Sequence, residues 1–310
     1  MAGNSRSTGL EQFYTPGTAA LELTKFLLEI GVDPNCEWIE PAAGTASFVN
    51  AMHELGIQNV TAYDIDPRHE LVAQADFLAQ PVTAKVCLTN PPFGRNNSLS
   101  VPFFNRLALS CDVIAFIVPR SWRKWSVVNR LDRNFVKIVD RDLELSYVDA
   151  AGNRLSTSTA LNTVFQVWVR SGVHRDVAPK VTPVALFEVV KPAVAKATIT
   201  QFGRGCGTVR NSFDRVPNTT QMFIDAPPEI IDEIASMDLS PFYTQTAYIE
   251  ALSRIEINYA LQESLAGRLI AHDFLVTSNL VTHASYRVPV SQATGVFTFA
   301  AAADSALETN

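Results

Sequence analysis

Between residues 37 and 118 the chain repeats one pattern: a short apolar run, a turn, then residues with helical spacing. The apolar runs are Glu37–Ile39, Asn59–Tyr63, Lys85–Leu88 and Val113–Val118. Amphipathic stretches precede, separate or follow them at Leu21–Ile30, Ala46–Leu55 and Val101–Ser110. Strands joined through helices run parallel, because each helix carries the chain back before the next strand begins, and such crossovers are right-handed. The pattern predicts an α/β fold on a mostly parallel sheet. Farther on, Ser121–Leu131 reads as a helix, and Val136–Val139, Leu143–Val148 and Asn162–Val169 read as strands. The last two are joined through Ala151-Gly152-Asn153, so the sheet is expected to close with an antiparallel hairpin.

The pattern changes after Ser171-Gly172. Residues 173–225 are rich in Val, Thr and Pro, with glycines at 203, 205 and 207, and residues 227–265 read as helical. This predicts a flexible N-terminus at 1–12, a first domain at 13–172, a smaller C-terminal region at 173–299 and a tail at 300–310. No apolar run approaches the roughly 20 residues of a membrane helix. Cys36, Cys87, Cys111 and Cys206 lie far apart, with neither a CxxC pair nor a Cys/His cluster at metal spacing. They read as buried thiols of a reducing compartment, and no metal is expected. Net charge is −6, but it is unevenly spread. Residues 115–215 hold 16 Lys and Arg against 8 Asp and Glu; residues 1–114 hold 6 against 12, and residues 216–310 hold 3 against 11. A basic middle between acidic flanks fits either a localised phosphate-binding face or solvated helix faces.

Polar residues of chemical interest fall at the ends of the expected strands, where open α/β sheets bind ligands. Glu40-Pro41-Ala42-Ala43-Gly44-Thr45 follows the first strand, and Asp64 ends the second, twenty residues after Gly44. That spacing suits an acid that accepts hydrogen bonds from ribose hydroxyls. Only one glycine lies in the first turn, so a pyrophosphate-cradling loop is not expected, and a nucleoside cofactor without phosphates fits better. Asn90-Pro91-Pro92-Phe93 follows the third strand. Its prolines stiffen the loop, Asn90 and Pro91 offer two carbonyl acceptors, and Phe93 offers a flat ring. Those groups suit a planar substrate with an exocyclic amine, although the tetrapeptide alone also suits an ordinary strand-to-turn corner.

Taken in order, these segments resemble the N6-adenine DNA methyltransferases, in the arrangement with the cofactor half first and the target-recognition region last. Phe13-Tyr14-Thr15-Pro16 resembles the family's N-terminal cofactor motif, and Glu40 to Phe48 its first-strand motif. Tyr63-Asp64-Ile65-Asp66-Pro67 resembles its ribose motif, Asp76-Phe77 its adenine-contacting pair, and Asn90-Pro91-Pro92-Phe93 its catalytic motif. Order and spacing agree across residues 13–120; the single glycine of the first-strand motif departs from many relatives.

The resemblance implies a Rossmann-like methyltransferase sheet and S-adenosylmethionine as cofactor, held by Thr15, Glu40, Pro41, Ala42, Gly44, Asp64, Asp76 and Phe77. It implies methyl transfer to the N6 amine of a flipped-out adenine in double-stranded DNA, in the cytoplasm of a bacterium or phage-infected cell, and leaves open a restriction-modification partner. Asn90 and Pro91 would accept the two N–H bonds of the amine, Pro92 would stiffen the loop, and Phe93 would stack on the base. A second aromatic is expected over the other face of the base or positioning it; Phe165 is a candidate, although an aromatic so placed is more often core. Arg95 on the loop, and Arg120, Arg123 and Lys124 in the stretch Pro119-Arg120-Ser121-Trp122-Arg123-Lys124-Trp125, are candidates for phosphate contact. Gly203-Arg204-Gly205 and Arg210 belong to the region expected to recognise the target. Related loops also serve enzymes that methylate ribosomal RNA amines or a release-factor glutamine, and a binding protein with a decayed site is the reading of a different class.

Overall fold

The computed structural model describes residues 13–155, 161–177, 186–267, 285–287 and 293–299. The expected N-terminus at 1–12 and tail at 300–310 lie outside them. Helix α1 (Gly17–Glu29) enters from Pro16, whose extended backbone directs the chain into it. Its apolar residues Ala20, Leu23, Phe26 and Leu27 share one face and are buried. Gly31, at φ +98°, ends it. The N–H groups of Gly31 and Val32 donate to the Leu28 and Leu27 carbonyls at 3.0 Å each, and so satisfy carbonyls the helix leaves unpaired.

The strands follow in chain order: β1 (Trp38–Glu40), β2 (Val60–Asp64), β3 (Ala73–Gln74), β4 (Val86–Thr89), β5 (Val113–Pro119), β6 (Phe135–Glu144) and β7 (Thr163–Arg170). Then come β8 (Glu188–Val189), β9 (Ala197–Phe202), β10 (Val209–Arg210), β11 (Thr220–Asp225) and β12 (Val296–Thr298). Between them lie helices α2 (Ser47–Glu54), α3 (Ser100–Leu107), α4 (Trp125–Val128), α5 (Pro228–Ser236), α6 (Ser240–Tyr243) and α7 (Arg254–Leu265). The main sheet has the order β12-β6-β7-β5-β4-β1-β2-β3. Its pairs from β5 through β4, β1 and β2 to β3 are parallel, and β7 runs antiparallel to both β5 and β6. The fold is a Rossmann-like α/β sheet.

Both faces of this sheet are covered. Helices α1 and α2 pack on one side with Val113, Ala115 and Ile117, while α3 and α4 pack on the other with Ile114, Phe116 and Val118. The uninterrupted apolar run of β5 follows from this double burial. On the second side Phe104 meets Phe116, Trp122, Phe135 and Trp168 edge-on, with ring centroids 5.5–5.9 Å apart. Removing that ring would cost about 3–5 kcal/mol.

Two local expectations are corrected. Residues 143–148 do not form a strand of their own: β6 runs continuously over Phe135–Glu144 and pairs with β7, with a register shift between Lys137 and Val139. The expected helix over 121–131 breaks into a 3-10 turn (Arg120–Arg123) and the four-residue α4. Lys124 separates them with extended backbone, because its ammonium reaches Glu256 at 2.7 Å and Trp125 packs on the second core. The C-terminal region also contributes to the main sheet: β12 adds to it parallel to β6, and Tyr286 packs against the α1 side.

The second unit is a four-stranded antiparallel sheet, β10-β9-β11-β8. Its inner face joins α5, α6 and α7 around Ile199, Met222, Ile224, Phe242 and Leu261. Ser253 and Glu256 form a reciprocal cap at the start of α7, which satisfies two N–H groups there.

Candidate active site

The parallel strands deliver Glu40, Asp64, Asn90 and Pro119 to one edge of the main sheet. Strand order reverses between β1 and β4, so the crevice of this sheet opens between Glu40 and Asn90. Asp64 ties the two turns on the far side of that crevice. One of its oxygens accepts the Gly44 N–H at 2.7 Å and the other the Asp66 N–H at 2.8 Å. Each oxygen keeps lone-pair capacity for a further donor. Gly44 has φ +49°, and a Cβ there would stand 2.5 Å from the Tyr14 ring. Tyr14 thus packs directly on the turn, and burial raises its phenol pKa.

Glu40 is 1% exposed. Burial pushes its carboxyl up to about 8, and the nearby Asp64 charge adds to the rise. The Thr89 hydroxyl and the Ala42 N–H act in the opposite sense. Ala42 donates at 3.1 Å, whereas the buried Thr89 hydroxyl makes no direct hydrogen bond of good geometry. Among the described residues no cation stands beside this desolvated carboxyl. Pro41 is buried and Ala42 partly buried in the same turn. Asp76 is exposed, and one of its oxygens caps the turn Phe77–Ala79 by accepting the Leu78 N–H at 3.0 Å. Phe77 is 2% exposed and tilts against Phe103, so its ring serves the core; only its backbone can meet a ligand.

Asn90 is oriented by the N-terminal segment. Its amide nitrogen donates to the Phe13 carbonyl at 2.8 Å and to the Thr15 hydroxyl at 3.3 Å. A backbone carbonyl can only accept, so the –NH2 end must face it, which turns Oδ1 to the other side. Thr15, expected to hold a cofactor, positions this carboxamide. Pro91 is buried, Pro92 is half-buried and Phe93 is 6% exposed. Beyond Phe93 the loop passes through Gly94, Asn96 and Asn97, all with positive φ. Arg130 braces it by donating to the Asn96 carbonyl at 3.0 Å and to that of Asn97 at 3.4 Å.

No protein-family model and no curated protein matches this chain. Among solved structures it is similar to a candidate RNA methyltransferase from Pyrococcus horikoshii, with 18% identity and a TM-score of 0.43 over 55% of this chain and 92% of that one. It is also similar to the modification subunit of a candidate type I restriction enzyme from Vibrio vulnificus, with 16% identity and a TM-score of 0.40 over 52% and 45% of the two chains. A candidate class I S-adenosylmethionine-dependent methyltransferase from Listeria monocytogenes shows 16% identity and a TM-score of 0.38 over 54% and 63%.

Beside the Asn90 loop lies a cleft of about 1010 Å³. Phe93–Asn97 form one wall, Pro119 to Arg130 the floor, and Gln245–Tyr248 of the second unit the opposite wall. The charged residues lining it are Arg95, Lys124 and Arg130, all cations. Arg95 is exposed. The second wall is anchored to the main sheet by Asn162, whose backbone N–H donates to Ala247 at 2.7 Å and whose side chain donates to Tyr248 at 3.3 Å.

Other expected contacts are spent inside the protein. Arg123 is 4% exposed and pairs with Asp140 at 2.8 Å and Asp142 at 3.1 Å, so it cannot reach a phosphate. Arg120 shares Asp142 at 2.7 Å, and Lys124 is paired with the buried Glu256. Asp140 also binds Lys137, which is fully buried, and accepts from Gln166 at 3.0 Å. Phe165 is fully buried and packs edge-on against Phe26 and Phe297, so it covers no ligand surface. Tyr248 and Arg130 are the cleft residues that sequence reasoning missed. Tyr248 fell within the stretch 227–265 that reads as helical, and no local pattern marks either residue. Among the described residues no group of three or more His, Cys, Asp or Glu is placed to hold a metal.

Proposed function

We propose that this chain is an S-adenosylmethionine-dependent methyltransferase that acts on an exocyclic base amine in nucleic acid, with the N6 amine of adenine in double-stranded DNA as its specific target. The observation that carries the reading is the orientation of Asn90. Its –NH2 end is consumed by Phe13 and Thr15, so it can only accept on the other side. An acceptor fixed at the end of a central strand, next to a second carbonyl on Pro91, suits a group with two N–H bonds. Adenine's amine is a poor nucleophile because its lone pair is delocalised into the ring. Two acceptors aimed at its protons favour a more tetrahedral nitrogen and free that lone pair. Such fixed dipoles supply on the order of 3–4 kcal/mol for one well-placed group.

The cofactor fits the donor set of the crevice. Its cationic amino-acid end matches Glu40, a buried carboxyl with no cation beside it among the described residues, within the turn of Pro41 and Ala42. Asp64 has lone pairs left for ribose hydroxyls, Gly44 leaves room only for a hydrogen, and Asp76 keeps one oxygen beyond its cap. When bound, S-adenosylmethionine supplies a methyl group made electrophilic by its sulfonium. Asn90 and Pro91 hold the amine, Phe93 and Tyr248 line the space where an unstacked base would lie, and Arg95 meets backbone phosphate.

The test is methyl transfer from labelled S-adenosylmethionine to DNA, RNA and protein, followed by nuclease digestion and mass spectrometry of the nucleosides. N6-methyladenine from DNA is expected. Methylcytosine, label confined to RNA, or methylglutamine would overturn the specific target, and transfer to nothing would overturn the enzymatic reading.

A further inference from the structure

We propose that the outer face of the β8–β11 sheet is a nucleic-acid-binding surface that continues the cleft and holds bases and phosphates flanking the target amine; it rests on the nucleic-acid reading above. Side chains alternate across these strands. Ala197, Ile199, Met222 and Ile224 face the second core. Thr198 and Thr200 therefore face outward, opposite Phe223 and Gln221 of β11, and Phe202 continues their set at the bulged end. Arg210 lies across this face, its guanidinium donating to the Thr200 hydroxyl at 2.8 Å. Phe213 stacks on Phe223 with ring centroids 6.4 Å apart and planes 25° apart. Phe202 and Phe213 remain 41% and 43% exposed.

Charge selects the partner. Residues 188–225, which hold the four strands, carry five Lys and Arg against Glu188, Asp214 and Asp225, whereas residues 226–267 hold seven acids against Arg254 alone. The unit is thus basic on its sheet side and acidic toward its helices. Asp225, at the edge of the outer face, is neutralised by Lys196 at 2.8 Å. The exposed rings of Phe202 and Phe213, with Arg204 beside them, offer π faces for bases and a donor for phosphate, while Thr198 and Thr200, 1% and 0% exposed, hold Arg210 and Ser212 over the sheet. A docking face for an apolar protein partner would instead be a contiguous greasy patch.

The face is joined to the cleft. Gly203 donates to the Glu250 carbonyl at 3.0 Å, and Leu252 donates to the Gln201 carbonyl at 2.9 Å. These bonds set the β9 end beside the segment that supplies Gln245–Tyr248 to the cleft wall. The turn there is closed by Gly203, at φ +93°, where a Cβ would meet the Asn218 carbonyl at 2.5 Å. That close approach leaves Arg204 exposed next to Phe202. A strand leaving the cleft at Tyr248 meets Phe202 and Arg204 first, then Arg210 and Phe213.

The test compares Phe202→Ala/Phe213→Ala and Arg204→Ala/Arg215→Ala (Arg215 is exposed, two residues past Phe213) with the wild type, using a labelled adenine-containing oligonucleotide and fluorescence anisotropy across a salt series. The aromatic pair is expected to weaken binding tenfold or more. The arginine pair is expected to flatten the logarithmic salt dependence by about 1–2. Phe202→Trp should restore affinity, which a merely structural loss would not allow. Glu229→Gln/Asp232→Asn on α5 serves as the acidic-side control and should not weaken binding. Unchanged affinity and salt slope in both pairs would overturn the surface, even with methyl transfer intact. Weakened binding in the pairs, with a wild type that transfers no methyl group, would keep the surface and overturn the enzymatic reading. Should the aromatic pair fail to fold, the exposed arginines carry the same test alone.

Discussion

Two polar clusters at the same edge of the main sheet use their charges in opposite ways. At the ends of β1, β2 and β4, Glu40, Asp64 and Asn90 make one or two bonds each to nearby backbone or side chains. They keep acceptor capacity on the side away from those bonds. Past the end of β5, Arg120, Arg123 and Lys124 are each neutralised by a carboxylate of β6 or α7. The difference comes from what lies over each place. Nothing among the described residues covers the β1–β4 crevice with opposite charge, whereas the second unit and the β6 strand press on the 120–125 turn. Cations that in sequence look like a phosphate site instead fasten the 120–123 turn to β6 and, through Lys124, join it to the second unit.

Asn90→Ala breaks the first cluster most sharply. It removes the oriented acceptor without leaving a buried charge, so transfer should fall by at least 10²–10³-fold. Cofactor affinity and melting temperature should stay near wild type. Isothermal titration, a thermal melt and a transfer assay on one preparation decide this; turnover within tenfold of wild type would sink the role assigned to Asn90. Arg123→Met should do the converse. It leaves Asp140 buried beside Lys137 with one cation fewer, a loss of about 3–5 kcal/mol of stability. Denaturant unfolding should show a lower midpoint with an unchanged slope. A stability within 1 kcal/mol of wild type, coupled with lost DNA affinity, would return Arg123 to the phosphate-binding set.

The contrast also marks how far the sequence could be read. The strand ends were legible because period and polarity are local: an apolar run followed by Glu40, Asp64 or Asn90 has one place to put the polar group. Tyr14-Thr15 was legible as a site motif but not in its part, since its contact to Asn90 spans 75 residues. The fate of Arg123 depended on Asp140 across a strand pair, and that of Lys124 on Glu256 in the other unit, neither of which a local pattern encodes. For the same reason the sequence left Phe165 open between a stacking aromatic and a core residue; its strand is the antiparallel neighbour of β5 and is buried throughout its centre. The eighth strand, β12, was unreadable because three residues carry too little period.

Lys124→Met probes the junction itself. Glu256 is 3% exposed and would lose its ammonium partner, yet it keeps its bond to the Ser253 N–H. The expected cost is about 1–3 kcal/mol, smaller than at Arg123 because only one ion pair is lost. Glu256→Gln combined with Lys124→Met should recover part of it, since the unpaired charge is then gone. A double variant no more stable than Lys124→Met would show that the pair contributes little, and the second unit would then be held mainly by Trp125.

The smallest effect is the most diagnostic for the crevice. Glu40 titrates near 4.5 in an unfolded chain and about 8 in the folded one. Between those values the folded state holds a proton that the unfolded state has lost. Stability from this group is therefore complete below pH 4.5 and is lost as pH rises through 8. The melting temperature of the wild type should fall across that window more steeply than that of Glu40→Gln, which cannot ionise. A cationic ligand beside Glu40 reverses the sign: it favours the carboxylate, so binding at pH 7 must expel a proton. Titrating S-adenosylmethionine in buffers of different ionisation enthalpy should show that release in the wild type and not in Glu40→Gln. Parallel melting curves would refute the raised carboxyl, and proton-neutral binding in both proteins would place the cofactor's ammonium elsewhere in the crevice.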